Sequence, residues 1–70
     1  MIKNKLIIVL GAGESGVGTA VLAAKQGFDV FVSDFGKIKD DYRNILINKN
    51  ISFEEGSHNR VLEIMKNIGK

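Results

Sequence analysis

An apolar run, Leu6-Ile7-Ile8-Val9-Leu10, meets the cluster Gly11-Ala12-Gly13-Glu14-Ser15-Gly16. This junction leaves few folds open. The run does not alternate, so it reads as a parallel strand covered on both faces. From Ser15 to Gln26, Val17, Ala20, Val21 and Ala24 fall at helical spacing on one face. A strand that hands over to a helix through G-x-G-x-x-G is the setting in which helix-start N–H groups meet a phosphate. Gly11 permits the sharp exit from the strand. Gly13 lets the backbone approach a phosphate with no Cβ in the way. Gly16 lets the helix lie close on the strand. The same glycines also fit a tight turn that serves no ligand.

The pattern then repeats. Ser15 reads as a helix N-cap and Gly27 as the residue just past the C-terminus. Phe28 to Ser33 is strand-like, closed by Asp34-Phe35-Gly36. After a loop at 37–39, Asp40 and Asp41 suit a helix start, Tyr42, Ile45 and Leu46 continue its face, and Asn50 ends it. Ile51-Ser52-Phe53 reads as a short third strand before Glu54-Glu55-Gly56. Ser57 or Asn59 can cap a last helix whose apolar face is Val61, Ile64, Met65 and Ile68, with Gly69 as its stop. Strands alternating with helices imply parallel pairing through right-handed crossovers. The fold class is therefore α/β: a Rossmann-like three-layer half-domain, β-α-β-α-β-α, with strand order 3-2-1. Residues 1–70 form one domain. In that order the first strand lies at an edge, which invites further pairing or self-association. A fourth strand is the natural neighbour, so the chain reads as a truncated half, a piece of a larger protein.

Composition narrows the function. The chain has no cysteine and one histidine, His58, so cysteine-based and multi-histidine metal sites are excluded. A formal charge of +2, with both signs interspersed, does not suggest a nucleic-acid partner. No apolar stretch approaches a membrane span, and Leu6 to Leu10 is too short for a secretory signal. The expected compartment is the cytoplasm.

Asp34 ends the second strand, eighteen residues after Gly16. An acidic residue there accepts hydrogen bonds from ribose hydroxyls; it also fits a solvated turn. Glu14 would repel a pyrophosphate packed directly on the loop, and it suits a helix N-terminus. Ser15 either caps the helix or donates to a ligand oxygen. Gly11 to Gly16 has P-loop spacing, but Val17 stands where lysine is required, so ATP hydrolysis is not expected. His58 has no nucleophile partner in sequence and reads as a surface or cap-region histidine. Met65 reads as core. Taken together, Gly11, Gly13, Gly16 and Asp34 fit a nucleotide-linked substrate, the NAD half of an oxidoreductase, or a non-catalytic nucleotide-sensing module.

The stretches Ile8 to Gly18 and Gln26 to Asp34, with Glu54-Glu55-Gly56-Ser57-His58, resemble the amino terminus of the Mur ligases. The likeness is to the D-glutamate-adding members of Bacteroidetes-type bacteria and runs from about Lys5 to Asn59. It implies a Rossmann-like domain that binds the UDP part of a UDP-linked muramoyl substrate in peptidoglycan synthesis. It implies ATP and Mg on a further domain, and an acyl phosphate attacked by the amine of D-glutamate. It also implies that Glu14, Ser15 and Asp34, followed by Phe35 and Gly36, contact the uridine nucleotide. Phe35 and Gly36 replace polar or basic side chains often found there. The family's catalytic residues have no counterpart here, so the chain alone is expected to be inactive.

Overall fold

The computed structural model describes residues 5–68. Three parallel strands alternate with three helices: β1 (Leu6–Leu10), α1 (Glu14–Lys25), β2 (Asp29–Asp34), α2 (Asp40–Asn48), β3 (Ser52–Glu55) and α3 (Asn59–Ile68). The sheet order is β1-β2-β3, the expected 3-2-1 read from the other edge. Ile8 lies opposite Phe31, and Phe31 opposite Ser52, so β2 is paired on both sides. Gly69, read as the last helix stop, and the side chain of Ile68 lie outside what is described.

Alternation along β2 separates the layers. Val30 and Val32 face α1 and α2, where Val9, Val17, Ala20, Ile38, Leu46 and Ile51 close the main core. Val32, Ile38 and Leu46 are fully buried, each contributing about 1.5–3 kcal/mol relative to exposure. Phe31 and Ser33 face the opposite side, where α3 lies. There the Arg60 guanidinium sits 5.3 Å from the Phe31 ring centroid, a cation–π contact.

Coverage by α3 is partial. Val61 is buried, but Leu62 and Met65 are exposed. Met65 is thus not core: α3 packs mainly over β2, with Val61 buried and Ile64 half-buried, and leaves Met65 largely exposed. The expectation that β1 is covered on both faces also fails. Only Val9 of β1 is buried, while Leu6 and Leu10 are exposed, because β1 is an edge strand that α3 does not reach across.

The helix ends follow their sequence signals at the C-terminal side. Gly27 takes φ +93° and Asn50 φ +57°. After α1, Phe28 N–H donates to the Ala23 carbonyl and Gly27 N–H to that of Ala24. After α2, Ile51 donates to Leu46 and Asn50 to Ile47. Both are Schellman closures, which need a left-handed residue at the turn. The N-terminal ends depart from expectation. α1 begins at Glu14, with Gly13 as N-cap and no side chain capping it. Ser15 therefore lies inside the first turn and does not cap. No residue next to α3 provides its main cap either; a strand side chain does so, as described below.

Gly16 fixes where α1 crosses β1. A Cβ there would fall 1.9 Å from the Gly11 carbonyl oxygen, whereas one at Gly18 meets nothing within 4 Å. Gly16→Ala is therefore expected to destabilise the protein by about 1–3 kcal/mol or more. Gly18→Ala, in the exposed helix interior, is expected to stabilise it by roughly 0.5–1 kcal/mol. Urea denaturation of the two variants checks this. Equal midpoints would mean that the close crossing does not matter.

Candidate functional site

The carboxyl ends of β1 and β2 converge on the glycine loop. Gly11 leaves β1 at φ +100°, and its N–H donates to the Ser33 carbonyl at 2.8 Å, extending the ladder by one rung. Ala12 is then buried, while Gly13, Glu14 and Ser15 are exposed. A Cβ on Gly13 would point into open space, so the surface above the loop is clear. Val17 N–H donates to the Gly13 carbonyl and starts the helix. With no side-chain cap, the first-turn N–H groups of α1 keep their capacity to donate, and the helix dipole favours an anion there. Glu14 is exposed in that turn and supplies the only acidic side chain in it.

Asp34 ties the loop to β2. Its Oδ2 accepts the Ala12 N–H at 2.7 Å, and its Oδ1 accepts the Gly36 N–H at 2.8 Å. The carboxylate reaches the glycine loop as the sequence reading expected. Its two oxygens, however, already hold backbone donors, one from each side of the site. Phe35 is 73% exposed beside it, and Gly36 is exposed. Thus Gly11, Gly13, Glu14, Ser15, Gly16, Asp34, Phe35 and Gly36 are gathered at one end of the sheet.

Sequence reasoning missed a second cluster behind that rim. Ser33, fully buried, contacts three groups through one hydroxyl. Glu54 Oε2 lies at 2.8 Å, the Ser57 carbonyl at 3.3 Å, and His58 Nδ1 in close contact. Glu54 also accepts the N–H groups of Arg60 and Val61, each at 3.0 Å. These belong to the first turn of α3, so a β3 carboxylate caps that helix. The Ser57 hydroxyl adds a longer contact, 3.4 Å from the Asn59 nitrogen. The trio resembles a hydrolytic triad only in composition. The serine is the hub and is buried, and the histidine does not bridge serine and carboxylate. The available signal was Glu54-Glu55 after a strand-like segment. Charges at a strand end look solvated, and nothing local in sequence points to their partners on α3 and before α2.

Glu55 performs the parallel task for the loop before α2. Its Oε1 accepts the N–H of buried Ile38 at 2.8 Å and faces the Arg43 guanidinium at 3.3 Å. Arg43 also reaches Asp40 at 3.1 Å and donates to the Ile38 carbonyl at 3.0 Å.

Partial burial opposes ionisation of Glu54. The N–H groups of Arg60 and Val61, the Ser33 hydroxyl and the His58 charge outweigh it and hold its carboxyl below the ordinary 4.5. For Glu55 the Ile38 N–H is the main cause; burial works against it, and Arg43 and Lys37 assist.

The geometry defines the class: half of a doubly wound α/β domain whose glycine loop and β2 end meet at one end of the sheet. Comparison narrows it. Residues 6–65 match the family model "MurD N-terminal domain", and the chain belongs to that family. It is 56% identical over 55 residues to the UDP-N-acetylmuramoylalanine–D-glutamate ligase of Christiangramia forsetii, covering 79% of this chain and 12% of that enzyme. For the enzyme of the same name from Bacteroides thetaiotaomicron, identity is 49% over 70 residues, covering 93% of this chain and 16% of the relative. For that of Bacteroides fragilis it is 59% over 54 residues, covering 77% and 12%. The chain thus spans about an eighth to a sixth of the length of these relatives. No solved structure matches it.

Two outcomes test the site's framework. Removing the Asp34 carboxylate strands the buried Ala12 N–H, so Asp34→Ala is expected to cost about 1–3 kcal/mol. Asp34→Asn should cost less, since one amide oxygen still accepts; denaturant titration ranks the three proteins, and an unchanged midpoint for both would refute the tie. The second outcome is pH dependence. Glu54 and Glu55 titrate lower in the folded than in the unfolded chain, so their contribution is complete above the unfolded value near 4.5. It is lost as pH falls through the lower folded values. Melting temperature should therefore drop across that acidic window, and less steeply in the double variant Glu54→Gln/Glu55→Gln. Parallel curves would remove both carboxylates from the account.

Proposed function

We propose that this chain binds the UDP moiety of UDP-N-acetylmuramoyl-L-alanine, as the amino-terminal part of a D-glutamate-adding ligase of peptidoglycan synthesis in the cytoplasm. The observation that carries this reading is the uncapped N-terminus of α1 at an open glycine loop, latched to β2 by Asp34, in a member of this family. The first-turn N–H groups are the donors for the diphosphate. Gly13 keeps that approach free, and Glu14 turns outward to solvent so that it does not oppose it. Ser15 is free to donate to a ligand oxygen, since it does not cap. The rim of Asp34, Phe35 and Gly36 meets the nucleoside.

The residues here do not fit the ATP and Mg of the complete reaction. Val17 occupies the P-loop lysine position, and no group of three acidic or histidine side chains among the described residues is arranged to hold a metal ion. In this reading the chain supplies substrate binding, and acyl activation belongs to other parts of the ligase. An NAD site uses the same glycines. Asp34 stands at the rim in either reading, and it is membership of this family that favours UDP.

Calorimetric titration of the protein carrying this chain with UDP, NAD and NADP decides between them. Saturable UDP binding, lowered in Asp34→Ala, is expected. Binding of NAD with no response to UDP would falsify the proposal.

A further inference from the structure

We propose that His58 is a positioning residue for the nucleotide: acting from behind the site, it fixes the Phe35 ring as a stacking platform for the base. This rests on the nucleotide-binding reading above.

The argument begins with proton counting at Ser33. Its hydroxyl carries one proton. The Glu54 oxygen 2.8 Å away belongs to a carboxyl held ionised at neutral pH, so it can only accept. Ser33 therefore donates to Glu54. The contact with His58 Nδ1 then requires the proton on Nδ1, with the serine oxygen accepting. That assignment holds for either charge state of the imidazole, and it pins the ring in one orientation.

The pinned ring faces outward to Phe35. The two ring centroids are 5.7 Å apart at 41°, within the range of interacting aromatic pairs. Phe35 is otherwise 73% exposed, and the Asp34–Gly36 turn sets only its backbone. A large apolar ring held open to water, next to donors suited to phosphate, is arranged to receive a flat partner. Stacking is indifferent to base identity because every base has a π-face. The platform thus adds affinity, while polar groups elsewhere select the base. Neither residue hydrogen-bonds to the glycine loop, which is held instead through Asp34 and the Ser33 carbonyl.

UDP affinity by calorimetry and the proton shifts of the uracil H5 and H6 on binding test this in the protein carrying the chain. With the parent, an upfield shift is expected. Phe35→Ala should lose it and weaken UDP by about tenfold; Phe35→Tyr should keep both. His58→Asn retains a δ-nitrogen donor for Ser33 but lacks the ring that meets Phe35. It should melt with the parent, yet show a reduced shift and weaker UDP binding. Adding His58→Asn to Phe35→Ala should weaken UDP no further. Parent-like values for Phe35→Ala would overturn the platform while the nucleotide reading stands. Parent-like values for His58→Asn would overturn the positioning role alone. If the parent does not bind UDP, the nucleotide reading fails and takes this inference with it.

Discussion

Where α1 crosses the exit of β1, a side chain at Gly16 would collide with the Gly11 carbonyl. The helix can sit there only because both partners are backbone. That contact sets the height of α1 above the sheet, and much else follows from it. It brings Val17 and Ala20 onto Val9 and Val32 in the core. It also brings the open first turn of α1 level with the strand ends, where the Asp34 carboxylate can reach Ala12. A helix held further out by one methyl group would separate the loop from its latch.

The end of β2 divides the remaining work by its pleat. Ser33 and Asp34 are consecutive, so their side chains leave on opposite faces. Asp34 serves the α1 side and fixes the front of the site. Ser33 serves the α3 side and fixes Glu54 and His58 behind it. The register carries the same division into β3. Ser33 lies opposite Glu54, and Asp34 opposite Glu55, and each glutamate secures a segment on its own face. A one-residue slip of β3 would put Gly56 opposite Asp34 or Phe53 opposite Ser33, so that one of the two segments would lose its carboxylate.

Much of this was legible in the residues, and the limits have physical causes. β1, α1 and β2 follow from an apolar run, a glycine turn and helical spacing, all local signals. Gly27 and Asn50 were readable as helix ends because left-handed backbone selects those residues. Ser15 misled as a cap because Gly13, with no side chain, holds the N-cap position. Glu54 and Glu55 were placed beyond the third strand, which in fact runs Ser52–Glu55, and their tasks were not legible because their partners lie on other segments. His58 looked idle for the same reason: Ser33, its partner, is twenty-five residues away. The exposure of Leu6, Leu10 and Met65 depends on what stands beside β1 and α3, which periodicity does not contain.

The two layers are held by different forces. The α1–α2 side is an apolar core, closed by fully buried Val32, Ile38 and Leu46. The α3 side buries Val61 and otherwise relies on polar ties: the Glu54 cap, the Ser33–His58 contact and Arg60 over Phe31. Apolar burial is indifferent to pH and to moderate salt, whereas the Glu54 cap weakens on protonation, and both it and the cation–π contact weaken with screening. Local opening should thus begin at α3 and leave the glycine loop intact. The glycine loop and the first turn of α1 lie on the rigid layer, and the Phe35–His58 pair depends on the softer one. In the proposed reading, affinity for the anionic part of a nucleotide and affinity for its base would therefore separate by solution conditions as well as by residue.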